Sequence, residues 1–162
     1  MENLNFTLIT PKDDFPLAEL IRYNLASHDL ALPGTVYFDE NLYHLSDFYL
    51  ADSQKRYYYI LKDEKGEVLG GIGLAELEFM DNCAELQKLY LADSVKGNGL
   101  GYKLIELIEE KARELGYSRM YLETHTNLAA AIHIYEKSGY KLIEKPEGVV
   151  HGAMNRFYLK DL

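Results

Sequence analysis

The stretch from Glu85 to Lys103 constrains the fold more than any other part of the sequence. It reads as a half-buried strand up to Leu91, then a short polar turn, then three glycines at positions 97, 99 and 101. This pattern predicts a strand, a turn and a loop that opens a helix. The residues on one face of that expected helix are apolar: Leu100, Leu104, Ile105, Ile108, Ala112 and Leu115.

Gly97, Gly99 and Gly101 lie where this helix is expected to begin. The first amide groups of a helix have no partner within it, and the helix dipole places partial positive charge there. Because glycine has no Cβ atom, a phosphate group can approach the backbone closely. The sequence therefore predicts an anion site for a phosphorylated ligand. A tight strand-to-helix connection is the structural alternative, but each of three alternating glycines then costs entropy without a backbone requirement.

Two better-known phosphate loops are excluded by the spacing. A dinucleotide-binding fingerprint needs a glycine at the sixth position, and counting from Gly97 that position is Tyr102. A nucleoside triphosphate loop needs Gly-Lys-Ser/Thr, which occurs nowhere in the chain. The phosphorylated ligand is thus expected to be of another class.

Two segments resemble those of a known family. Lys96-Gly97-Asn98-Gly99-Leu100-Gly101 resembles the Gln/Arg-x-x-Gly-x-Gly/Ala segment that holds the acetyl-CoA pyrophosphate in the GNAT superfamily of N-acetyltransferases. Lys96 stands where Gln or Arg is usual, which keeps the charge of an arginine but not its planar fork. The segment 127–140 is similar to the family's Asn-…-Ala-…-Tyr-Glu-Lys-x-Gly-Phe segment. The resemblance covers roughly residues 67–145, and its two segments occur in the expected order.

The resemblance implies the GNAT fold, with residues 1–162 forming a single N-acetyltransferase domain. That α/β (mixed α+β) fold has a mostly antiparallel mixed sheet of six to seven strands, splayed at its central parallel pair, and about four helices. The order of elements read from the residues is also that of a mixed rather than a doubly wound domain. Strands are expected at 4–9, 57–61, 68–79, 83–91, 119–124, 140–144 and 153–159, and helices around 17–25, 41–50, 100–115 and 128–137.

Composition and charge restrict the partners. The formal net charge is −9 and no basic run is present, so a nucleic acid substrate, including charged tRNA, is disfavoured. No apolar run is long enough to span a membrane, and the first residues do not resemble a signal peptide. The single cysteine, Cys83, is expected in the core and is compatible with a reducing, cytoplasmic location. The histidines show no metal-ligand spacing, so no metal is expected.

The resemblance also implies which residues contact the co-substrate acetyl-CoA. The Leu89 amide would face the acetyl carbonyl, and Leu91 would pair with the pantetheine arm as an added strand does. Asn127 would bond the pantetheine, although an asparagine before a helix is also a good N-cap. The full set of expected contacts is Leu89, Tyr90, Leu91, Lys96, Gly97, Asn98, Gly99, Leu100, Gly101, Tyr102, Asn127 and Tyr135. Lys103 and Lys137 are further candidates for the outer phosphate.

Acetyl transfer to an amine needs a neutral amine, donors for the oxyanion and a proton for the leaving thiolate. The resemblance assigns Tyr135 as the general acid, although a tyrosine on an apolar helix face is more often a core residue. The resemblance makes Glu85 the first candidate for the general base, because it lies eleven residues before Lys96, the spacing at which histone-acetyltransferase-type members carry their glutamate base. A carboxylate in a partly apolar cleft also gains basicity. An ordinary strand glutamate is the alternative, with Glu123, His125 or a chain of water molecules as substitute bases.

The acceptor is left open. Aromatic and acidic residues are frequent between His28 and Asp52, which suits a cationic group or an ordinary packed tyrosine cluster equally well. A small-molecule amine, a protein lysine and a protein N-terminus are all compatible with the sequence, as is a homodimer. A non-catalytic acyl-CoA-binding or regulatory module on the same fold is the alternative to an enzyme.

Overall fold

The computed structural model describes residues 3–149 and 152–162, which contain one seven-stranded sheet. Its strands are β1 (Asn5–Leu8), β2 (Tyr57–Lys62), β3 (Val68–Glu76), β4 (Cys83–Leu91), β5 (Arg119–Thr124), β6 (Lys141–Ile143) and β7 (Arg156–Asp161). Their order in the sheet is β1-β2-β3-β4-β5-β7-β6. Only the central β4–β5 pair is parallel; the other five neighbouring pairs are antiparallel. The predicted mixed, mostly antiparallel sheet is confirmed.

Four α-helices cover the two faces of this sheet within the described residues. They are α1 (Asp14–Ser27), α2 (Leu45–Leu50), α3 (Leu100–Glu114) and α4 (Ala129–Lys137). Helices α3 and α4 pack on one face, where Leu104, Ile105, Ile108 and Ala112 of α3 enter the larger core, whereas the predicted Leu100 lines a cavity instead. Helices α1 and α2 pack on the other face over β2. Each face therefore has its own core, and the sheet separates the two.

Several elements differ from the sequence prediction in their bounds; β3, for example, ends at Glu76 rather than at residue 79. The helix expected at 41–50 is a 3-10 turn at Leu42–His44 followed by the shorter α2. The buried carboxylate of Asp14 accepts hydrogen bonds from the Ser46 amide at 2.8 Å and from its hydroxyl at 2.6 Å, which fixes where α2 begins. The last strand starts at Arg156 rather than at residue 153, because Arg156 is the first residue to pair with β5.

The parallel pair separates after three residues. Cys83, Ala84 and Glu85 of β4 pair with Arg119, Met120 and Tyr121 of β5, and no later pair forms among the described residues. Beyond Glu85 the two strands diverge, which confirms the predicted splay. The opening lies beside the start of α3, so a ligand held at that helix can reach between the strands.

Strand β4 contains a bulge just beyond this point. Between the pairs Gly71–Tyr90 and Gly73–Gln87, β3 has one residue and β4 has two, Lys88 and Leu89. Lys88 adopts a φ of 53°, a left-handed conformation that costs a non-glycine residue about 1 to 3 kcal/mol. The hydroxyl of Tyr58 donates to the Lys88 carbonyl at 2.7 Å and supports this conformation from the sheet side.

Replacing Gly73 by alanine is expected to destabilise the fold by about 1 to 3 kcal/mol, the usual cost of overpacking a core. An added Cβ atom would lie 2.5 Å from the Tyr58 ring and 3.1 Å from the Tyr49 ring, both of which are buried beneath the bulge. Urea denaturation measures the free energy of unfolding. Gly152→Ala is the control, because an added Cβ there meets nothing within 4 Å. Equal stabilities of the two variants would contradict this account of the bulge.

Candidate active site

A cavity of about 550 Å³ occupies the opening between β4 and β5. One side of it is formed by the start of α3 and by α4, and the other by the end of α1 and the loop that follows. The two sides are joined by β4, whose residues from Glu85 to Leu91 all contribute to the lining. The remaining lining residues are Asn24, Leu25, His28, Gly34, Thr35, Val36, Asp39, Lys96, Gly97, Gly99, Leu100, Gly101, Tyr102, Glu123, Thr124, Leu128, Ala130, Ala131, Ile134, Tyr135 and Met154.

The loop before α3 presents a row of backbone amides to this cavity. Among the described residues, the amides of residues 97–102 donate to no backbone carbonyl; the first amide to do so is that of Lys103. Gly97 and Gly99 have φ values of 80° and 75°, which only glycine adopts without strain. Gly101 allows close packing of the two helices, because an added Cβ would lie 2.9 Å from Ile134. The arrangement meets the requirements of an anion site at a helix start.

Tyr135 reaches the cavity from α4. Its side chain is 6% exposed, and its ring packs edge-on against Tyr140 with the centroids 6.1 Å apart. Its hydroxyl forms no hydrogen bond to any residue in the described part of the chain, and it is not a fully enclosed polar atom. Burial raises the pKa of Tyr135 well above its ordinary value, with a smaller contribution from Tyr90. Tyr135 therefore remains protonated at neutral pH and can donate a proton.

Glu85 belongs to a short chain of hydrogen bonds in the cavity floor. The buried Tyr49 hydroxyl donates to Oε1 of Gln87 at 2.6 Å, so the other end of the Gln87 amide is its NH₂ group. That group donates to Oε1 of Glu85 at 2.9 Å. Burial raises the pKa of Tyr49 well above its ordinary value, with a smaller contribution from Glu85, so Tyr49 remains a donor. The chain holds the Glu85 carboxylate at the last residue paired with β5, where the strands begin to diverge.

The two substitute bases are placed differently. Glu123 lines the cavity and accepts a hydrogen bond of 2.9 Å from the Tyr121 hydroxyl. His125 is not a lining residue, and its Nδ1 accepts a hydrogen bond of 3.0 Å from the Asn127 amide in the turn before α4. Glu123 is therefore the alternative to Glu85 that the geometry retains.

Most of the residues expected to contact the cofactor line this one cavity, but Asn98 and Asn127 do not. The Asn98 side chain bonds the carbonyls of Val95 and Lys96 within its own loop. The expectation that Asn127 is an N-cap is wrong. Leu128 holds that position, and the Asn127 side chain instead donates to the His28 carbonyl at 3.0 Å. Asn127 thus ties the start of α4 to the end of α1.

The aromatic and acidic segment 28–52 enters the cavity only in part. Its Asp39 is a lining residue, and Tyr49 lies beneath the floor. Tyr37 and Tyr43 instead contact Arg22 on α1, the first through its ring face at 4.1 Å and the second through a hydrogen bond of 3.3 Å. A cationic acceptor would therefore meet carboxylates here rather than a cage of tyrosine rings.

Sequence reasoning missed the roles of Gln87, Lys88 and Tyr58. Gln87 orients Glu85, Lys88 occupies the bulge, and Tyr58 supports the bulge through its hydroxyl. A possible sequence indication was Gly70-Gly71-Ile72-Gly73, because repeated glycines in a strand mark a close approach or a bulge. Two of these glycines make room for the Tyr58 ring.

The diverging strands, the open amide row and the buried tyrosine together define a site for a phosphorylated carrier with an extended arm. Comparison with known proteins agrees. The sequence matches the family model for the Acetyltransferase (GNAT) family over residues 23–140. It is 38% identical over 138 residues to the uncharacterized N-acetyltransferase YjgM of Escherichia coli K12, covering 84% of this chain and 81% of that protein.

The solved structures support the same fold. An acetyltransferase of the GNAT family from Staphylococcus aureus Mu50 superposes with a TM-score of 0.84 at 19% identity, covering 98% of both chains. The putative acetyltransferase yncA from Salmonella typhimurium, solved with acetyl-CoA, gives 0.74 at 20% identity, covering 99% of this chain and 94% of that one. The protein belongs to the GNAT family of acetyltransferases.

Within residues 3–149 and 152–162, no three His, Cys, Asp or Glu side chains are grouped so as to hold a metal ion. His151, one of the histidines considered from sequence, lies outside the described residues. Across the same residues, no helix combines the length and apolarity needed to cross a membrane.

Proposed function

We propose that this acetyl-CoA-dependent N-acetyltransferase moves the acetyl group by direct attack of a primary amine on the thioester. The observation that carries the proposal is the meeting of the open amide row of residues 97–102 with the gap where β4 and β5 diverge. A diphosphate bound at the amide row leaves its arm room to extend between the strands. No covalent enzyme intermediate is invoked, because one cavity contains both the glycine loop and the candidate base Glu85.

The proposed cofactor site has three parts. The loop residues Gly97, Gly99 and Gly101 bring backbone amides to the diphosphate, while Lys96 adds positive charge although it also pairs with Asp93 at 2.9 Å. The strand residues from Leu89 to Leu91 supply backbone groups for the pantetheine arm. The rest of the proposed set is Asn98, Leu100, Tyr102, Asn127 and Tyr135, of which Asn98 and Asn127 contribute through the shape of the loop and of the α1–α4 contact.

Three groups carry the chemistry in this proposal. Glu85, directly or through a water molecule, removes a proton from the acceptor ammonium so that its nitrogen can attack the carbonyl carbon. The Leu89 amide, which follows the bulge, donates to the oxyanion that forms. As the carbon–sulfur bond breaks, Tyr135 gives its proton to the departing thiolate. The surroundings of the two side chains support these roles, because Glu85 lies in the polar floor of the cavity and Tyr135 lies in an apolar wall.

An acceptor screen read by thiol release tests the function. Purified protein with acetyl-CoA is offered amino acids, polyamines, amino sugars and lysine-bearing peptides, and a chromogenic thiol reagent reports free CoA. We expect release well above the acceptor-free rate with at least one class. Stabilisation by CoA without thiol release from any acceptor would instead support the non-catalytic binding module.

The domain organisation, the location and the assembly of the protein are part of the same proposal. Residues 1–162 form a single N-acetyltransferase domain, which is supported by a sheet running from Asn5 to Asp161. The location is cytoplasmic, which is supported by a lone, buried cysteine. The proposed assembly is a homodimer, for which sedimentation would give twice the chain mass of 18.6 kDa.

A further inference from the structure

The acceptor side of the cavity, by which we mean the part lined by Asp39, Glu85, Lys88 and Glu123, holds one ammonium group of the described residues among three carboxylates. Lys88 lines it together with Asp39, Glu85 and Glu123. Lys88 is half-buried, and its ammonium forms neither a hydrogen bond nor an ion pair with any residue in the described part of the chain. The other lysine of the lining, Lys96, lies in the cofactor loop and is paired with Asp93. Among the described lysines of the lining, Lys88 is therefore the one available to a ligand on this side.

The bulge explains why this side chain faces the cavity. Side chains of a regular strand alternate between faces, so a lysine two residues after Leu86 would share its face and enter the core beneath α3. The extra residue changes the alternation, and Leu89 joins that core instead. A bulge beside a site commonly re-aims a side chain in this way. Lys88 accordingly lines the cavity, as do Asp39 and Glu85.

The environment of Lys88 is unfavourable for a charge that has no partner. Loss of water lowers the pKa of Lys88, and the attraction of Glu85 and then Asp39 offsets only part of that effect. The left-handed backbone adds strain that glycine would avoid, and the Tyr58 hydroxyl is needed to hold it. A partly desolvated ammonium without a close partner is stabilised when a negatively charged group pairs with it, as an anionic ligand would.

We propose that the acceptor is an amino acid, whose carboxylate is bound by Lys88 while its amine is directed to Glu85. The inference deepens the proposed function and depends on it. It separates amino acids from polyamines and peptide lysines, which have no carboxylate beside the reacting amine. The carboxylates of Asp39 and Glu123 fit the same acceptor, because both line the cavity and would attract the positively charged end of a zwitterion.

Matched acceptors test this inference. Each amino acid in the panel is compared with its amide and with the amine that lacks the carboxyl group, and kcat/KM is measured for each. We expect the acid to be preferred by about 10-fold to 100-fold, the usual worth of a hydrogen bond to a charged group. Lys88→Met, which keeps the side-chain length, should remove this preference by raising the KM for the acid alone. The KM for acetyl-CoA should not change.

Lys141→Met is the control, because Lys141 is exposed on the edge strand β6, outside the cavity. It should preserve the preference, and thermal melting should show that both variants fold. Equal use of acids and their amides, with Lys88→Met slowing both alike, would overturn the inference and leave the acetyltransferase function standing. Absence of thiol release with every acceptor would defeat the function and the inference with it.

Discussion

Replacing Tyr135 by phenylalanine is expected to lower kcat by about 100-fold, at the lower end of what a general acid contributes. The change removes one oxygen and leaves the ring that packs against Tyr140 in place, so folding should be little affected. The KM for acetyl-CoA should stay within about twofold, because the proton is needed as the thiolate leaves and not for binding. Steady-state kinetics with the best acceptor from the screen measure both constants.

The pH profile gives this prediction a second test. Burial raises the pKa of Tyr135, so its proton is retained to higher pH than that of an ordinary tyrosine. In the wild-type protein, kcat should therefore rise with pH and show no fall from loss of this proton below about pH 10, the ordinary tyrosine value. A fall starting near neutral pH that is absent from Tyr135→Phe would mean that the tyrosine titrates much earlier than its burial allows.

Tyr57→Phe is the matched control for the acid. Tyr57 lies on β2 with its ring against Lys111, outside the cavity, and its hydroxyl donates to no other side chain among the described residues. Its loss should leave kcat unchanged. If Tyr135→Phe keeps more than half of the wild-type kcat, the general acid is another group or water.

The second large effect is expected from Glu85→Gln, which should lower kcat/KM for the acceptor by about 100-fold at pH 7. Glutamine has nearly the same shape and can still accept the hydrogen bond from Gln87, so the loss is that of the base. A primary amine has a pKa near 10.4, so only about one molecule in 2,500 is neutral at pH 7. The deficit should shrink towards pH 10, because the solvent then deprotonates the amine.

Glu123→Gln separates the two candidate bases. Both carboxylates line the cavity, but Glu85 lies at the point of divergence and Glu123 lies two residues beyond Tyr121 on β5. We expect Glu123→Gln to change kcat/KM by less than about fivefold. The reverse result, with a large loss for Glu123→Gln and a small one for Glu85→Gln, would assign the base to β5. A deficit in Glu85→Gln that is equal at all pH values would indicate a structural role.

Local patterns predicted the elements that depend on local chemistry. The glycine loop, the apolar face of α3 and the strand Cys83–Leu91 all follow from spacing along the chain, and the structure reproduces them. The resemblance to the GNAT family supplied the sheet and its splay, which come from pairing between strands far apart in sequence. The shortened α2 could not be anticipated, because its start is fixed by Asp14, 32 residues before its partner Ser46.

In the candidate site, too, local features could be predicted from the sequence and contacts between distant residues could not. The cofactor loop could be predicted from its glycines, and Tyr135 could be predicted from one family motif. The Tyr49–Gln87–Glu85 chain was not, because it joins α2 to β4 across 38 residues between Tyr49 and Gln87. The face of the sheet on which the Lys88 side chain lies depends on a bulge. A strand pattern of period two cannot show where the extra residue of a bulge falls. The N-cap alternative for Asn127 was wrong, because its side chain bonds the His28 carbonyl, 99 residues away, which no local pattern shows.

A backbone amide NMR titration with acetyl-CoA tests the central claim most directly. The account predicts large, saturable downfield shifts of the amide protons of Gly97, Gly99 and Gly101, because these amides gain phosphate acceptors in place of water. Acetyl-pantetheine, which lacks the diphosphate, should leave them nearly unmoved while it perturbs Leu89 and Leu91. If acetyl-CoA saturates the protein without shifting the glycine amides, the cofactor is held elsewhere and the proposed site is wrong.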